Sequence, residues 1–497
     1  MSDQPTVPDL SLLAPVTAKY SGRGRDALLP MLFDIQSLYG WLPREAQLAA
    51  SETLRVPAAD VHGVIEFYTM LYNKPTGRQV VRLCDDLACS LAGAEAVIEE
   101  ISRQLGLDPG ETDDDRSISF ELVPCLGMCE QAPCGLMGER PGGELKPDSV
   151  EAFLASRHPE PKAKVHGELL IGHSGIGRSD PCDFEAYLAR QGYIALGNAL
   201  SKSPEEYIEF IEHCGILGRG GAMFPLGRKW RFTRAAQDET KYIVVNGDES
   251  EPGTFKDRCF MEEDPFAIVE GATLAAYAVG AKKGWIFVRG EYPRAYTRLR
   301  QAVDLARRAG YLGDKILESD DFGFDLEVRR GAGAYICGEE TALFEAIEGK
   351  RGFPRIRPPF PTTSGLFGKP TAINNVETLV TARLVTLVGD ETWLSQGTHD
   401  SPGTKLFCLS GHVARPGLYE APFGATIREL IDRAGGVPNE RAIKAILLGG
   451  AAGLFIGPEL LDMPLSYEDV RANDVTLGSG VIMVFDETAD LRLALRQ

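Results

Sequence analysis

The sequence lacks a basic surplus: 52 lysines and arginines stand against 71 aspartates and glutamates, a formal charge of −19 over 497 residues. Binding nucleic acid through its phosphates needs a basic face, and so does a polybasic membrane contact, so neither is expected. No apolar run reaches about eighteen residues, so no membrane span is expected. The first residues, MSDQPTVPDLSLLAP, have no basic region leading into an apolar core. That excludes a secretory leader of the usual kind and predicts a cytoplasmic location. There is no long internal repeat and no low-complexity tract. What remains is the balance of a soluble globular protein, 44% apolar and 25% charged, long enough for about three domains.

Cysteine is sparse, ten residues in all, and no C-x2-C knuckle occurs. Without a leader, disulfides are a poor reading, and ligand or buried thiol is the better one. Cys84 and Cys89 are spaced C-x4-C, and Cys125 and Cys129 are spaced C-x3-C. Two pairs of thiolates are what a 2Fe-2S cluster needs, two for each iron. Each pair follows an apolar strand-like run, VVRLC and ISFELVPC, which places the thiols on loops at strand ends. A zinc site from the same four thiolates is the rival, although zinc favours C-x2-C spacing. Structural thiols are the third reading. Cys134, Cys182, Cys214, Cys259, Cys337 and Cys408 are scattered singles, and Cys134 reads as a structural thiol.

The pattern along the chain predicts α/β architecture. Residues 1–75 form an N-terminal segment whose stretch 22–75 carries apolar residues at helical spacing. Strand and helix then alternate over 76–158, a small thioredoxin-like plan. Residues 159–185 are rich in Pro, Gly and His and read as a linker or extended arm. Over 186–402 strands alternate with helices, each strand running into a glycine-rich or acidic loop. That is a doubly wound, Rossmann-like sheet with a ligand at its carboxyl edge. Residues 403–490 read as a small β-grasp-like unit.

Three loops of the 186–402 region carry the candidate chemistry. The segment Gly218-Arg219-Gly220-Gly221-Ala222-Met223-Phe224 allows backbone N–H groups close approach to a phosphate or a flat ring. It follows a helix, so it is not the usual dinucleotide loop. NGDESEPGTFKDR at 246–258 follows an apolar strand, where sites collect. Its acids and amide suit sugar hydroxyls. GAGAYICGEETAL at 331–343 leads into a helix. A helix start favours phosphate, yet Glu339 and Glu340 oppose it and suit sugar or carboxamide hydrogens better.

These loops, with KW, RGEYP, RPPFP and AINNVET in the same order, resemble the flavoprotein subunit of respiratory complex I. They equally resemble the diaphorase subunits of soluble NAD-reducing hydrogenases and NAD-dependent formate dehydrogenases. The likeness spans about 190–490. Residues 20–160 resemble the thioredoxin-fold iron–sulfur subunit of the same enzymes, and the fusion of both resembles the hydrogenase diaphorase. The resemblance implies FMN, NAD(H), a 2Fe-2S cluster on Cys84, Cys89, Cys125 and Cys129, and a C-terminal SLBB domain. It implies that Gly218, Gly220 and Gly221 cradle the flavin within the loop that also holds Arg219 and Ala222, with Lys229 near its phosphate or ring. Asn246, Asp248, Glu249, Tyr335, Gly338, Asn374 and Asn375 match further flavin contacts. Phe224, Phe232 and Phe360 match aromatics beside nicotinamide and adenine, and Glu251 and Glu340 match acids lining the NADH site, beside Glu339.

The activity implied is hydride transfer between NAD(H) and FMN, followed by one-electron transfer to iron–sulfur clusters within a larger oxidoreductase. No catalytic nucleophile is needed. Glu251 would discourage a 2′-phosphate, so NAD is expected over NADP. Partners would be other iron–sulfur and catalytic subunits, and any membrane link would run through them. The alternative is a non-catalytic relay or docking subunit. Three departures stand out. The family's cysteine motif for a C-terminal 4Fe-4S cluster is absent, since the last cysteine is Cys408; truncation is the expected reason. Met223 stands where glycine is usual and could crowd the flavin or point away. Gly247 stands where alanine is usual and is expected to be harmless.

Overall fold

Three β-sheets organise the chain in the computed structural model, which describes residues 9–167, 175–178, 180–319 and 321–495. The first sheet holds β1 (Gln79–Cys84), β2 (Ile118–Val123), β3 (Gly135–Met137) and β4 (Arg140–Gly142) in the order β2-β1-β3-β4. β1 runs parallel to β2 and antiparallel to β3. Val81, Leu83 and Phe120 pack on Val97 and Ile101 of helix Ala94–Leu105 and on Val150 and Phe153. This is the thioredoxin-like plan, with both cysteine pairs at the carboxyl ends of β1 and β2.

The arm that follows contributes a short strand. β5 (Val165–His166) is joined to the C-terminal sheet, where it lies parallel to Leu418 and Tyr419. The stretch read as a linker or arm is therefore structural here, although residues 168–174 and 179 lie outside the described residues.

The central sheet is fully parallel: β6 (Tyr242–Gly247), β7 (Lys283–Val288), β8 (Asp325–Arg330) and β9 (Thr371–Asn375), in the order β8-β7-β6-β9. Side chains alternate between faces with period two. Ile243, Val245, Ile286 and Val288 face helices Lys256–Glu263, Pro265–Val279, Pro293–Arg308 and Val376–Val388. Val244, Trp285, Phe287 and Ile373 face the other way. There they meet Leu28, Leu32, Ile35, Val61 and Ile65 of the N-terminal helices. The N-terminal helices thus form the second cover of the central sheet rather than a cover for the first one. A parallel sheet needs both faces covered, and the N-terminal segment supplies the missing layer. β7 and β9 leave β6 on opposite sides, so the strand order reverses at β6 and β9, and a crevice opens at their carboxyl ends.

The C-terminal sheet has β10 (Thr404–Gly411), β11 (Gly417–Pro422), β12 (Ile443–Leu448), β13 (Leu454–Ile456) and β14 (Val481–Asp486), ordered β13-β12-β14-β10-β11-β5. Helix Ile427–Arg433, started by a Thr426–Glu429 capping box, packs Leu430 and Ile431 on it.

Two buried arginines tie the first sheet to the central one. Arg258 donates to Gly127 O at 2.8 Å and to Glu262 at 3.1 Å, and it also donates to Glu130. Arg289 donates to Cys125 O at 2.8 Å and Glu249 O at 2.7 Å. Gly127 has φ +63°, and a Cβ there would lie 1.8 Å from Tyr292 Oη, so only glycine fits this contact. Replacing Arg258 with methionine leaves Glu130 buried without its cation. The expected cost is about 3–5 kcal/mol, read as a lower urea midpoint with an earlier loss of first-sheet signals. An unchanged midpoint would show that the tie carries no stability.

Candidate functional site

The crevice at β6 and β9 contains a cavity of about 290 Å³. Its walls include Gly220, Asn246, Asp248, Glu251, Tyr335 and Asn375. Three separate loops therefore converge there. Asn246 crosslinks two of them: its amide donates to Gly338 O at 2.9 Å, and its carbonyl accepts from Asp248 N at 3.0 Å. Glu339 caps helix Glu340–Ile347 by accepting from Thr341 N and Ala342 N, while its other oxygen lacks a hydrogen-bond partner among the described residues. Asn375 caps the helix Val376–Val388 and donates to Asp257 at 2.6 Å.

The electrostatics are unusual for a surface crevice. Glu249 accepts from Asp257 N and Arg258 N at 2.8 and 2.9 Å. Burial, reinforced by the Asp257 charge, pushes its carboxyl up to about 7. Burial likewise raises Asp248 to about 7 against the pull of Arg289. Lys256, fully buried, sits 2.8 Å from Asp257 and 3.1 Å from Glu377. Burial alone would raise Glu377, but Lys405, Lys256 and Arg219 hold it down at about 2. Burial lowers Lys405 to about 8. The lining thus presents carboxylates inward, with its main cation already compensated.

The C-terminal domain closes one side. Ser479 donates to Glu251 at 3.0 Å and shares a 2.7 Å hydroxyl contact with Thr254. Sequence reasoning missed Ser479, Lys256, Asp257, Glu377 and Lys405. Lys256 and Asp257 lie inside the acidic-loop motif, and Ser479 sits between Gly478 and Gly480, a signal open to a reader of the sequence.

The other sequence-assigned residues fall in distinct places. Arg219 turns away from the cavity: its guanidinium lies 4.8 Å from the Phe423 ring centroid and 5.8 Å from that of Trp393. Only its backbone belongs to the loop, where its N–H donates to Thr378 at 2.9 Å. Asn374 is buried, accepting from Trp230 Nε1 at 3.1 Å. Lys229 donates to Ile373 O at 2.9 Å, and burial lowers it. Glu340 pairs with Arg357 at 2.6 Å. Phe224 and Phe232 stand with centroids 6.5 Å apart, exposed beyond the cavity wall, and Phe360 is 58% exposed. Gly218 closes its loop by donating to Phe224 O at 3.0 Å. Gly221 has φ +104°, and Ala222 is exposed. Met223 points away, packing against the C-terminal core. A Cβ on Gly247 would lie 2.7 Å from Phe287 O, so an alanine here would require the neighbouring strand to shift.

The four paired cysteines converge as well. Cys125 and Cys129 sulfurs lie 3.3 Å apart. Gly127 N and Gly253 N each donate to one of them at 3.3 Å. Cys84 and Cys89 lie beside Cys134, the three sulfurs within 4.8 Å of one another. All ten cysteines are free thiols. Residues Cys125, Ser250 and Tyr335 line a second cavity of about 520 Å³, and Ser250 and Tyr335 also line the first. The thiol cluster and the crevice are therefore neighbours. A further cleft of about 960 Å³, lined by Arg23, Arg78, Arg300 and Arg330 among others, lies where the N-terminal helices, the first sheet and the central domain meet; no cysteine lines it.

These features define a class: a glycine-lined, acidic crevice at the carboxyl edge of a parallel sheet, joined to a thioredoxin-like domain that carries a thiol cluster. Family models agree along the chain, matching a thioredoxin-like [2Fe-2S] ferredoxin over 13–158, a Nuo51 FMN-binding domain over 211–383 and an SLBB domain over 406–450. The alpha subunit of the NAD-reducing hydrogenase HoxS of Cupriavidus necator is 34% identical over 94% of this chain and 78% of its own length. A NADH-quinone oxidoreductase subunit of Rhizobium meliloti is 46% identical over 62% of this chain and 74% of its own. The NADP-reducing hydrogenase subunit HndC of Solidesulfovibrio fructosivorans is 42% identical over 64% of this chain and 65% of its own. A crystal structure of an NAD+-reducing [NiFe]-hydrogenase superposes with TM-score 0.82 at 31% identity, over 95% of this chain and 80% of that one. The chain belongs to the family of NADH dehydrogenase (diaphorase) flavoprotein subunits, fused to its 2Fe-2S ferredoxin domain. No helix among the described residues is long and apolar enough to cross a membrane.

Asp248 yields a pH prediction for the flavin-free protein. Its folded pKa lies above the ordinary carboxylate value, so its contribution is complete below about pH 4 and is lost as pH rises to about 7. The melting temperature should fall across that window, and Asp248→Asn should flatten the fall. Equal slopes for both proteins would refute the assignment.

Proposed function

We propose that the crevice binds FMN and NADH, and that Cys84, Cys89, Cys125 and Cys129 hold a 2Fe-2S cluster next to it. The observation carrying this reading is the shared wall. Gly253, in the acidic loop, donates to Cys129 sulfur, and Arg289 spans Cys125 O and Glu249 O. The residues present fit a flavin. Cβ atoms at Gly220 and Gly338 would lie 3.1 Å from Asn375 and 3.3 Å from Asp248, so backbone forms the cradle a flat ring needs. Four thiols in two close pairs fit a cluster. When bound, a flavin accepts two electrons as hydride and passes them on singly, which iron–sulfur centres require.

This chain's own residues bind and orient. Asn246 holds the acidic loop against the 335–338 loop. Ser479 and Thr254 fix Glu251 at the crevice mouth. Phe224, Phe232 and Phe360 offer exposed rings for the dinucleotide's bases. The acidic lining accepts hydrogens from sugar hydroxyls and opposes a second phosphate. We infer NAD over NADP for this reason, and the chain's partners are then the other subunits of a larger oxidoreductase. The fused ferredoxin domain favours a soluble enzyme of the hydrogenase or formate dehydrogenase kind over a quinone-linked one. Free thiols throughout suit a reducing, cytoplasmic setting.

The test is anaerobic. The purified chain, reconstituted with FMN, iron and sulfide, should bleach its flavin on NADH addition and then show a reduced 2Fe-2S signal by EPR. A chain that keeps no flavin supports a docking subunit instead. A second expectation concerns coenzyme choice. Glu251→Gln should raise the NADPH-to-NADH ratio of kcat/KM by about tenfold, the equivalent of about 1.4 kcal/mol. An unchanged ratio, or wild-type turnover equal for both coenzymes, removes Glu251 as the discriminator.

A further inference from the structure

The cysteine cluster holds one thiol more than a 2Fe-2S site uses. Cys134 begins the turn into β3, and its carbonyl accepts from Cys84 N at 3.1 Å, so strand pairing fixes it opposite Cys84. Cys89 reaches the same point from helix Leu87–Leu91, capped by Asp86. The three thiols are each about 1% exposed and rise from three separately anchored backbones. Two thiolates on one tetrahedral metal at about 2.3 Å lie about 3.8 Å apart. Cys89 and Cys134 sulfurs are 3.6 Å apart, so a metal held by either sulfur lies within reach of the other. Leu126, Met128 and Leu136 close the surroundings with apolar contacts, so packing alone does not call for a thiol at position 134.

We propose that Cys134 is an alternate ligand at the Cys84–Cys89 iron, interchangeable with Cys89. This rests on the cluster reading above. In the exchange the iron–sulfur bond to Cys89 breaks and the bond to Cys134 forms. The Cys134 thiol proton passes to the Cys89 thiolate, and no electron moves. A site able to switch ligands keeps its iron when one thiol is lost to alkylation or oxidation.

The full chain is reconstituted with FMN, iron and sulfide, and iron and sulfide per chain are measured with EPR of the reduced cluster. Cys134→Ala should match wild type in content. Cys89→Ala should retain about half or more of the wild-type iron with shifted g values, and Cys89→Ala/Cys134→Ala should fall about fivefold below it, as expected when a ligand is missing. Iron as low in Cys89→Ala as in the double variant overturns the proposal. Should Cys89→Ala fail to fold, judged by FMN retention, chelator challenge of Cys134→Ala decides. Iron release about threefold faster than wild type supports an alternate ligand, and an equal rate overturns it. A wild-type chain that takes up no cluster overturns the cluster reading itself, which separates that failure from this one.

Discussion

Two buried guanidinium groups hold the functional geometry together. Arg258 and Arg289 reach from the central domain into the cysteine loop, where they donate to the buried carbonyls of Gly127 and Cys125. A buried charge is costly unless fully paired. Here Glu130, Glu262 and Glu291 supply the pairing. The consequence is that the thiol loop and the acidic loop cannot shift independently. This contact holds the separation between the crevice and the thiol cluster. Tyr292 completes the arrangement by donating to Glu249 while filling the space that Gly127 leaves open.

The carboxylates of the crevice follow from the same economy of charge. Lys256 and Lys405 share Glu377 behind the cavity wall, so the positive charge near the site is neutralised from behind rather than by ligand. The front of the cavity is left acidic and hydrogen-bond accepting. The C-terminal domain contributes to this front through Ser479, which meets Thr254 and Glu251 of the central domain there.

Much of this was legible in the sequence. Short apolar runs such as KYIVVN and GWIFVRG mark β6 and β7, as both faces of a parallel sheet are buried, and the cysteine spacing marks the loops that bring the thiols together. The acidic loop was legible because it follows an apolar strand directly. What stayed hidden has physical reasons. An amphipathic stripe says that a helix buries one face but not against what, so the N-terminal helices gave no sign that Trp285 and Phe287 were their partners. Nothing along the chain marks Arg258 and Arg289 as buried ties, because burial is a property of packing. Arg219 sits in the glycine-rich motif, but the motif gave no sign that its side chain would lie against Phe423. Cys134 looked solitary because spacing along the chain does not report that β3 returns beside β1.

β5 is only two residues long, yet it lies on the outer edge of the C-terminal sheet, beside β11, a strand that the chain makes much later. That sheet is therefore edged, beside Leu418 and Tyr419, by a piece of chain that precedes the entire central domain. Cut apart at the apparent domain boundaries, the last unit would expose β11 as an unpaired edge, the kind of surface that recruits foreign strands. The arm thus covers part of that edge, and the modules of this protein are separable on paper but woven together in space.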